Sequence, residues 1–446
     1  MTVVGLDDTD SRERGMCTTY VATEVASRLA ERTSATAERL LLVRLNPAVE
    51  HKTRGNAALA IHLGHDQQCD PETAFEVARA TLEDLAETAD DRTNPGLVVA
   101  DHHPDEVPDD VSAFALSAIR DHLSIDEATT LADDRGYRRW GAGNGRGQIG
   151  ALAAIGAWGA LEDWTWTHEY ISYRDPERWG TSRTIDEESV FAAAEAGYPT
   201  VWDTVDRVEG ETVCVPHTPG PILHGIRGDD PEAVRTASES IGSEPVDRTQ
   251  GFVTNQGTDV HLRDGSTLES LSAARDGRAY RLEGRVASEP ETRRGGHVFF
   301  ELADPNGDGN TDTSSANSTE TLTCAAFEPT KRFRDRVRAL RVGDRLTVCG
   351  EISRGTLKLE KFAVRELVET ERVTPTCKSC GRRMKSAGRG QGYRCRDCGT
   401  TAAAKVDQPL ERDLEVGWYE VPPCARRHVA KPLIRGGFDG PTHPER

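Results

Sequence analysis

Apolar residues along the first half of the chain come in short runs, each followed by polar residues or by apolar residues at every third or fourth position. Val3–Leu6 is an apolar run that reads as a strand, and Val21, Val25 and Leu29 then recur at helical spacing. Leu40–Leu45 and Ala57–Leu63 read as strands around a loop, Asn46–Asn56. Glu72–Leu85 follows as a helix, Leu97–Ala100 as a strand and Val111–Leu123 as a helix, so residues to about 130 form an α/β unit. A glycine-rich loop, 141–148, opens the apolar segment Ile149–Trp158, and Trp164–Tyr173 alternates as a strand. Helical patterns over Glu187–Ala196 and Pro231–Ile241, with a strand near Thr212–Val215, suit an α+β unit ending near Leu262.

The texture changes after residue 279. Tyr280–Val286, Val298–Leu302, Thr321–Phe327, Arg345–Ile352 and Leu357–Arg365 are five short strands between turn signals, the pattern of a small OB-type barrel. Asp304–Glu320 is too polar to bury and reads as a solvated insertion in that barrel. With 446 residues the chain exceeds one core and divides into several domains. Its formal charge is −19, and only eight of its 55 basic residues are lysine, a balance suited to high salt; the acidity therefore describes the solvent more than the partner. No run reaches transmembrane length and no signal-peptide segment follows Met1, which places the protein in the cytoplasm. Six scattered cysteines without disulfide-like spacing fit a reducing compartment.

Three features carry chemistry. Asp7, Asp8 and Asp10 crowd the end of the first strand, where their repulsion calls for a divalent cation or a proton; Thr18 and Thr19 follow in the first turn of a helix, where free backbone N–H groups favour a phosphoryl group. The same residues also fit an ordinary Asp/Thr-rich helix cap. Cys377-x-x-Cys380 and Cys395-x-x-Cys398, with Gly381 and Gly399 at the knuckle turns, have the spacing of a closed, structural four-cysteine zinc ribbon. Residues 371–446 hold fifteen Lys/Arg against nine Asp/Glu, which leaves −25 for residues 1–370. A basic ribbon on an acidic chain points to a nucleic-acid backbone, with Arg382, Arg383, Lys385, Arg389, Arg394, Arg396, Arg426 and Arg427 as contacts. Phe299, Phe300 and Tyr393 are available either for base stacking or for core packing.

Six blocks resemble the archaeal 2-agmatinylcytidine synthetases that modify the minor isoleucine tRNA: Gly5–Thr19, Arg44–Asn56, Gly143–Gly156, Thr254–His261, the zinc ribbon and Gly417–Lys431. The resemblance implies a multidomain α+β chain: a kinase-like catalytic domain (1–133), a ferredoxin-like domain (134–262), an OB fold (275–370), the ribbon (374–402) and a C-terminal basic extension (403–446). It implies ATP-dependent attachment of agmatine to the wobble cytidine of a CAU anticodon, with release of AMP and phosphate, so that the tRNA reads AUA. In that family the first Thr after Gly-Met-Cys is phosphorylated; here it is Thr18. Mg²⁺ held by Asp7, Asp8 and Asp10 would neutralise the triphosphate, with Lys52, Arg54 and the loop Gly143, Asn144, Gly145, Arg146 and Gly147 available to clamp phosphates. Glu169 and Asp259 are the carboxylates assigned to the agmatine guanidinium. Two other readings compete. Asp101-His102-His103 resembles a motif of metal-dependent phosphoesterases, and the barrel with the ribbon alone would make a non-catalytic RNA-binding protein.

Overall fold

The computed structural model describes residues 1–446 except 34, 51–54, 65–68, 163 and 306–320. Lys52, Arg54 and most of the polar insertion therefore lie outside the described residues. Nine strands make one sheet: β1 (Val3–Asp7), β2 (Ala37–Arg44), β3 (Ala57–Leu63), β4 (Gly96–Ala100), β5 (Arg138–Gly141), β6 (Thr167–Arg174), β7 (Val201–Trp202), β8 (Ile222–Gly228) and β9 (Val246–Thr254). Their order is β5-β4-β1-β3-β2-β9-β6-β8-β7. Every neighbouring pair is antiparallel except β2–β9, a short parallel seam of Leu41 with Val253 and Leu42 with Thr254. The two units expected to meet near residue 133 thus share a continuous sheet.

Helices cover both faces. On one side α1 (Thr18–Thr33) and α2 (Pro71–Leu85) pack on Val4, Leu6, Leu59 and Val99; on the other, α3 (Asp109–Arg120), α4 (Ile125–Asp134) and α5 (Gly147–Ala160) pack on Val3, Val43, Ala60 and Val98. Burial on both faces is why β1 and β4 read as continuous apolar runs instead of alternating ones. Helix α5 is apolar nearly all round and, apart from partly buried Ile149, buried from Gly147 to Ala157, as a central helix must be. It lies so close to β1 that a Cβ at Gly5 would overlap the Ala151 carbonyl. Helices α6 (Glu187–Gly197) and α7 (Pro231–Glu239) close the second half. The helix expected over Val111–Leu123 stops at Arg120, and Ser124 with Glu127 forms a reciprocal capping box that starts α4, an element not anticipated. No strand forms at Thr212–Val215. Cys214 there makes two isolated backbone bonds, to Thr204 and Gly225, and the following prolines, Pro216, Pro219 and Pro221, prevent a ladder.

After β10 (Leu262–Asp264) come β11 (Ala279–Val286), β12 (Glu291–Thr292), β13 (Val298–Ala303), β14 (Thr321–Ala326), α8 (Phe333–Arg338), β15 (Arg345–Ser353) and β16 (Thr356–Glu366). The five anticipated strands close a barrel in the cycle β11-β13-β14-β16-β15, with β14–β16 its one parallel pair. Phe300 is buried in its core, while Phe299 is half-buried against Phe327 under the Arg293 guanidinium. The ribbon hangs on a two-stranded stem, β17 (Thr370–Val373) with β21 (Val406–Pro409), and contains the short strands β18 (Lys385–Ser386), β19 (Tyr393–Arg394) and β20 (Thr401–Ala402).

The chain then returns. β22 (Gly417–Glu420) adds to β16 and β23 (Thr442–His443) adds to β22, with Trp418 buried. The segment expected to be a basic extension is therefore part of the core. Two of its arginines are spent on buried carboxylates: Arg412 on Asp344, and Arg426 on Asp203 and Glu420. Arg426, with its side chain 3 % exposed, is not a surface contact for RNA, and Arg427 is half-buried on Glu351. Breaking a buried pair strands the partner charges, so Arg426→Ala should cost about 3–5 kcal/mol, against about 1 kcal/mol or less for the exposed Arg382→Ala. Comparing the two by chemical denaturation checks this; equal losses would contradict it.

Candidate functional site

A cavity of about 520 Å³ opens across the β2–β9 seam. Its wall includes Asp7, Asp8, Asp10, Thr18, Arg44, Arg146, Gly147, Glu169, Arg227 and His428, which come from both halves of the sheet and from the returning C-terminal segment. Asp7 ends β1, and the chain passes Asp8 in the left-handed region (φ 58°) before entering the acidic loop. The Asp7 carboxyl lies against the first turn of α5, where a Cβ at Gly150 would overlap it; glycine is required there for the approach. Burial first, and the Asp8 carboxylate next, hold the Asp7 carboxyl well above the usual range. Burial raises Asp8 as well, opposed by Arg146, whose Nη2 lies 2.7 Å from Asp8 Oδ2. Thr18 is buried at the start of α1, and Thr9 Oγ1 donates to its Oγ1 at 3.1 Å.

The glycine-rich loop contributes less surface than its composition suggests. Gly143, Asn144 and Gly145 stand outside the cavity wall, and Asn144 N donates to Asn94 Oδ1 at 2.9 Å. Only Arg146 and Gly147 of that loop line the cavity. Glu169 does line it, buried, accepting from Gln256 Nε2 at 2.5 Å and 3.8 Å from Arg44 Nη2. Asp259 does not: both its oxygens take Lys361 Nζ, at 2.8 and 2.7 Å, and Oδ1 also takes Lys431 N. It ties the seam to the barrel and stands outside the cavity wall that Glu169 lines.

Arg44, Arg227 and His428 were not singled out from sequence. A signal was present for Arg227, a lone charge in the apolar run of β8, and for Arg44 at the end of an apolar strand. Asp101, His102 and His103 lie elsewhere. Val3 pairs with Ala100 and Asp7 with Gly96, so the end of β4 emerges at the opposite end of the strands from the acidic loop. His102 packs on Tyr137, and His103 caps a turn.

In the ribbon the four sulfurs of Cys377, Cys380, Cys395 and Cys398 lie within 4.8 Å of one another, compatible with a tetrahedron around a zinc ion at about 2.3 Å. Gly381 N donates to Cys377 O and Gly399 N to Cys395 O, closing both knuckles with glycine φ of 65° and 76°. Among the described residues no other group of three or more such ligands converges in this way, the acidic loop included. Arg382, Arg383, Lys385, Arg389, Arg394 and Arg396 are all exposed around the ribbon. No helix among the described residues is long and apolar enough to cross a membrane.

Models of the TiaS TCKD domain, the TiaS FLD domain and the TiaS C-terminal zinc ribbon domain match residues 3–144, 145–261 and 374–414. The isoleucine-tRNA 2-agmatinylcytidine synthetase TiaS of Haloquadratum walsbyi is 53 % identical over 473 aligned residues, spanning all of both chains. The chain belongs to the TiaS family. A solved complex of TiaS with its isoleucine tRNA and ATP is 43 % identical with a TM-score of 0.87, and a complex of TiaS with that tRNA, AMPCPP and agmatine is 40 % identical with a TM-score of 0.84; each covers all of this chain and is itself 99 % covered. TiaS membership accounts for the multidomain α+β build with a barrel and a ribbon, and leaves the phosphoesterase reading without support.

Proposed function

We propose that this chain joins agmatine to the wobble cytidine of the isoleucine tRNA with a CAU anticodon, at the expense of ATP. The observation that carries the reading is full-length similarity to TiaS chains solved with an isoleucine tRNA, a nucleotide and agmatine. The cleft suits the chemistry. A cytosine carbonyl oxygen is a poor leaving group; phosphorylating O2 turns it into a good one, the neutral amine of agmatine then adds at C2, and O2 departs with the phosphate while the amine sheds a proton. Asp7, Asp8 and Asp10 offer hard oxygen ligands, the donor type Mg²⁺ prefers, burial and the Asp8 charge leave the Asp7 carboxyl in need of a cation or a proton, and the ion would screen the triphosphate. Thr18 is read as the hydroxyl that carries a phosphoryl group during turnover. Arg146 is read as a phosphate clamp that exchanges Asp8 for ATP, together with Gly147, the flanking loop 143–145, Lys52 and Arg54. Glu169 is read as the ligand of the agmatine guanidinium.

The kinase-like, ferredoxin-like and OB-type descriptions of residues 1–133, 134–262 and 275–370 belong to the same reading. The cycle of the barrel, with a helix between its third and fourth strands, supports the last of them. Four converged sulfurs support zinc in the ribbon, and the exposed basic residues around it support a phosphate-backbone contact. Incubation with ATP, Mg²⁺, agmatine and the isoleucine tRNA, at a salt concentration that keeps the chain folded, should convert the wobble cytidine to its agmatine adduct by mass spectrometry. An unchanged cytidine rejects the reading.

A further inference from the structure

Glu169 on β6 and Arg227 on β8 are direct cross-strand partners, a placement in which opposite charges ordinarily pair. Here they do not. Among the described residues no carboxylate lies within ion-pair distance of Arg227, although it is 4 % exposed and lines the cavity. Its Nη1 lies 2.9 Å from His428 Nδ1, and its Nη2 reaches only the Asp203 carbonyl at 3.5 Å. Glu169 meanwhile takes Gln256 Nε2, and half-buried Arg44 leaves its Nε without a partner on the same wall. An arginine left without a carboxylate inside a cavity is an anion site.

His428 is what holds the pair apart. A guanidinium only donates, so Nδ1 must be the acceptor and the ring proton sits on Nε2. His428 is exposed and lines the cavity, and its backbone is pinned: Gly257 N donates to His428 O at 2.7 Å, and Thr258 N and Asp259 N donate to Val429 O. Desolvation within the cleft, then the Arg44 and Arg227 charges, push its pKa well below the ordinary value, so the accepting tautomer persists at neutral pH.

We propose that His428 is a positioning residue that holds Arg227 off Glu169, so that Arg227 binds a phosphate group while Glu169, bonded to Gln256 but not taken up by Arg227, meets a cationic ligand. This rests on the ligase reading above and deepens it. The phosphate belongs either to ATP or to the tRNA backbone beside the target base.

The test uses the full chain and steady-state agmatine incorporation, with ATP, tRNA and agmatine varied in turn. Arg227→Ala raises the KM of one phosphate-bearing substrate about tenfold or more, the worth of a charge-assisted hydrogen bond, and leaves the KM for agmatine unchanged. Whether the KM for ATP or for tRNA moves identifies the source of the phosphate. His428→Ala lets Arg227 close on Glu169 and raises that KM and the agmatine KM together. His428→Asn, whose Oδ1 can accept where Nδ1 did, restores both. Parent-like KM values in His428→Ala, or His428→Asn as impaired as His428→Ala, overturn the proposal. Arg227→Lys replaces Arg227→Ala if thermal melting shows the latter unfolded. If the parent chain incorporates no agmatine, the ligase reading fails on its own; titration with inorganic pyrophosphate then decides, and equal affinity for parent, Arg227→Ala and His428→Ala overturns the anion site.

Discussion

Thr18→Ala should fold as the parent does and lose agmatine incorporation by about 10³-fold or more. The hydroxyl accepts a hydrogen bond from Thr9, whose loss costs about 1 kcal/mol, and alanine is at least as good a helix former at that position. Asp7→Asn should lose activity on the same scale yet melt higher than the parent. The folded-state pKa of Asp7 is raised by burial and by Asp8, so the folded chain holds this proton more tightly than the unfolded chain does. For a raised carboxyl the parent loses stability as pH climbs from the unfolded value toward the folded one. Asparagine, which resembles the neutral acid, is spared that loss, so its advantage grows with pH over the same window and then levels off. Melting curves at several pH values without divalent cation test this; a variant that melts lower at neutral pH would mean that the charge is already compensated within the chain. Added Mg²⁺ should narrow the gap by stabilising the parent.

Replacing Cys377 and Cys380 by Ser should release the zinc, unfold the ribbon and weaken tRNA binding by about two orders of magnitude, while nucleotide binding in the cleft survives. Apart from the cysteines, the buried interior of the ribbon is little more than Met384 with half-buried Tyr393 and Ala402, too small to stand without metal. No ribbon residue lines the cavity, and the stem β17–β21 is its connection to the barrel. Arg382→Glu with Arg383→Glu should reproduce part of the tRNA defect and flatten its salt dependence with zinc retained. Loss of nucleotide binding along with the zinc would contradict this division of labour.

The barrel strands were legible because each is short and bounded by turn residues, so pattern alone fixed their ends to within a residue or two. The acidic loop, Thr18 and the four cysteines were legible for a different reason: their chemistry is concentrated in a few consecutive positions. What sequence could not show was assembled from distant segments. Asp259 looked like a spare carboxylate until Lys361, a hundred positions away, claimed it. Arg426 looked like surface charge until the return of the chain after the ribbon buried it between Asp203 and Glu420. His428 acquires meaning only beside Arg227, and α4 was missed because its ten residues bury little more than Ala128 and Ala132, too weak an apolar stripe to read.

The return of the chain also has a temporal side. A ribosome delivers the acidic loop long before His428, and β2 waits with an open edge until β9 emerges to pair with it. No nascent fragment that stops at the barrel carries a complete wall, so a truncated product keeps the acidic loop and Thr18 but leaves Arg227 without the histidine that holds it off Glu169. Synthesis past His428 is thereby a condition for a finished cleft.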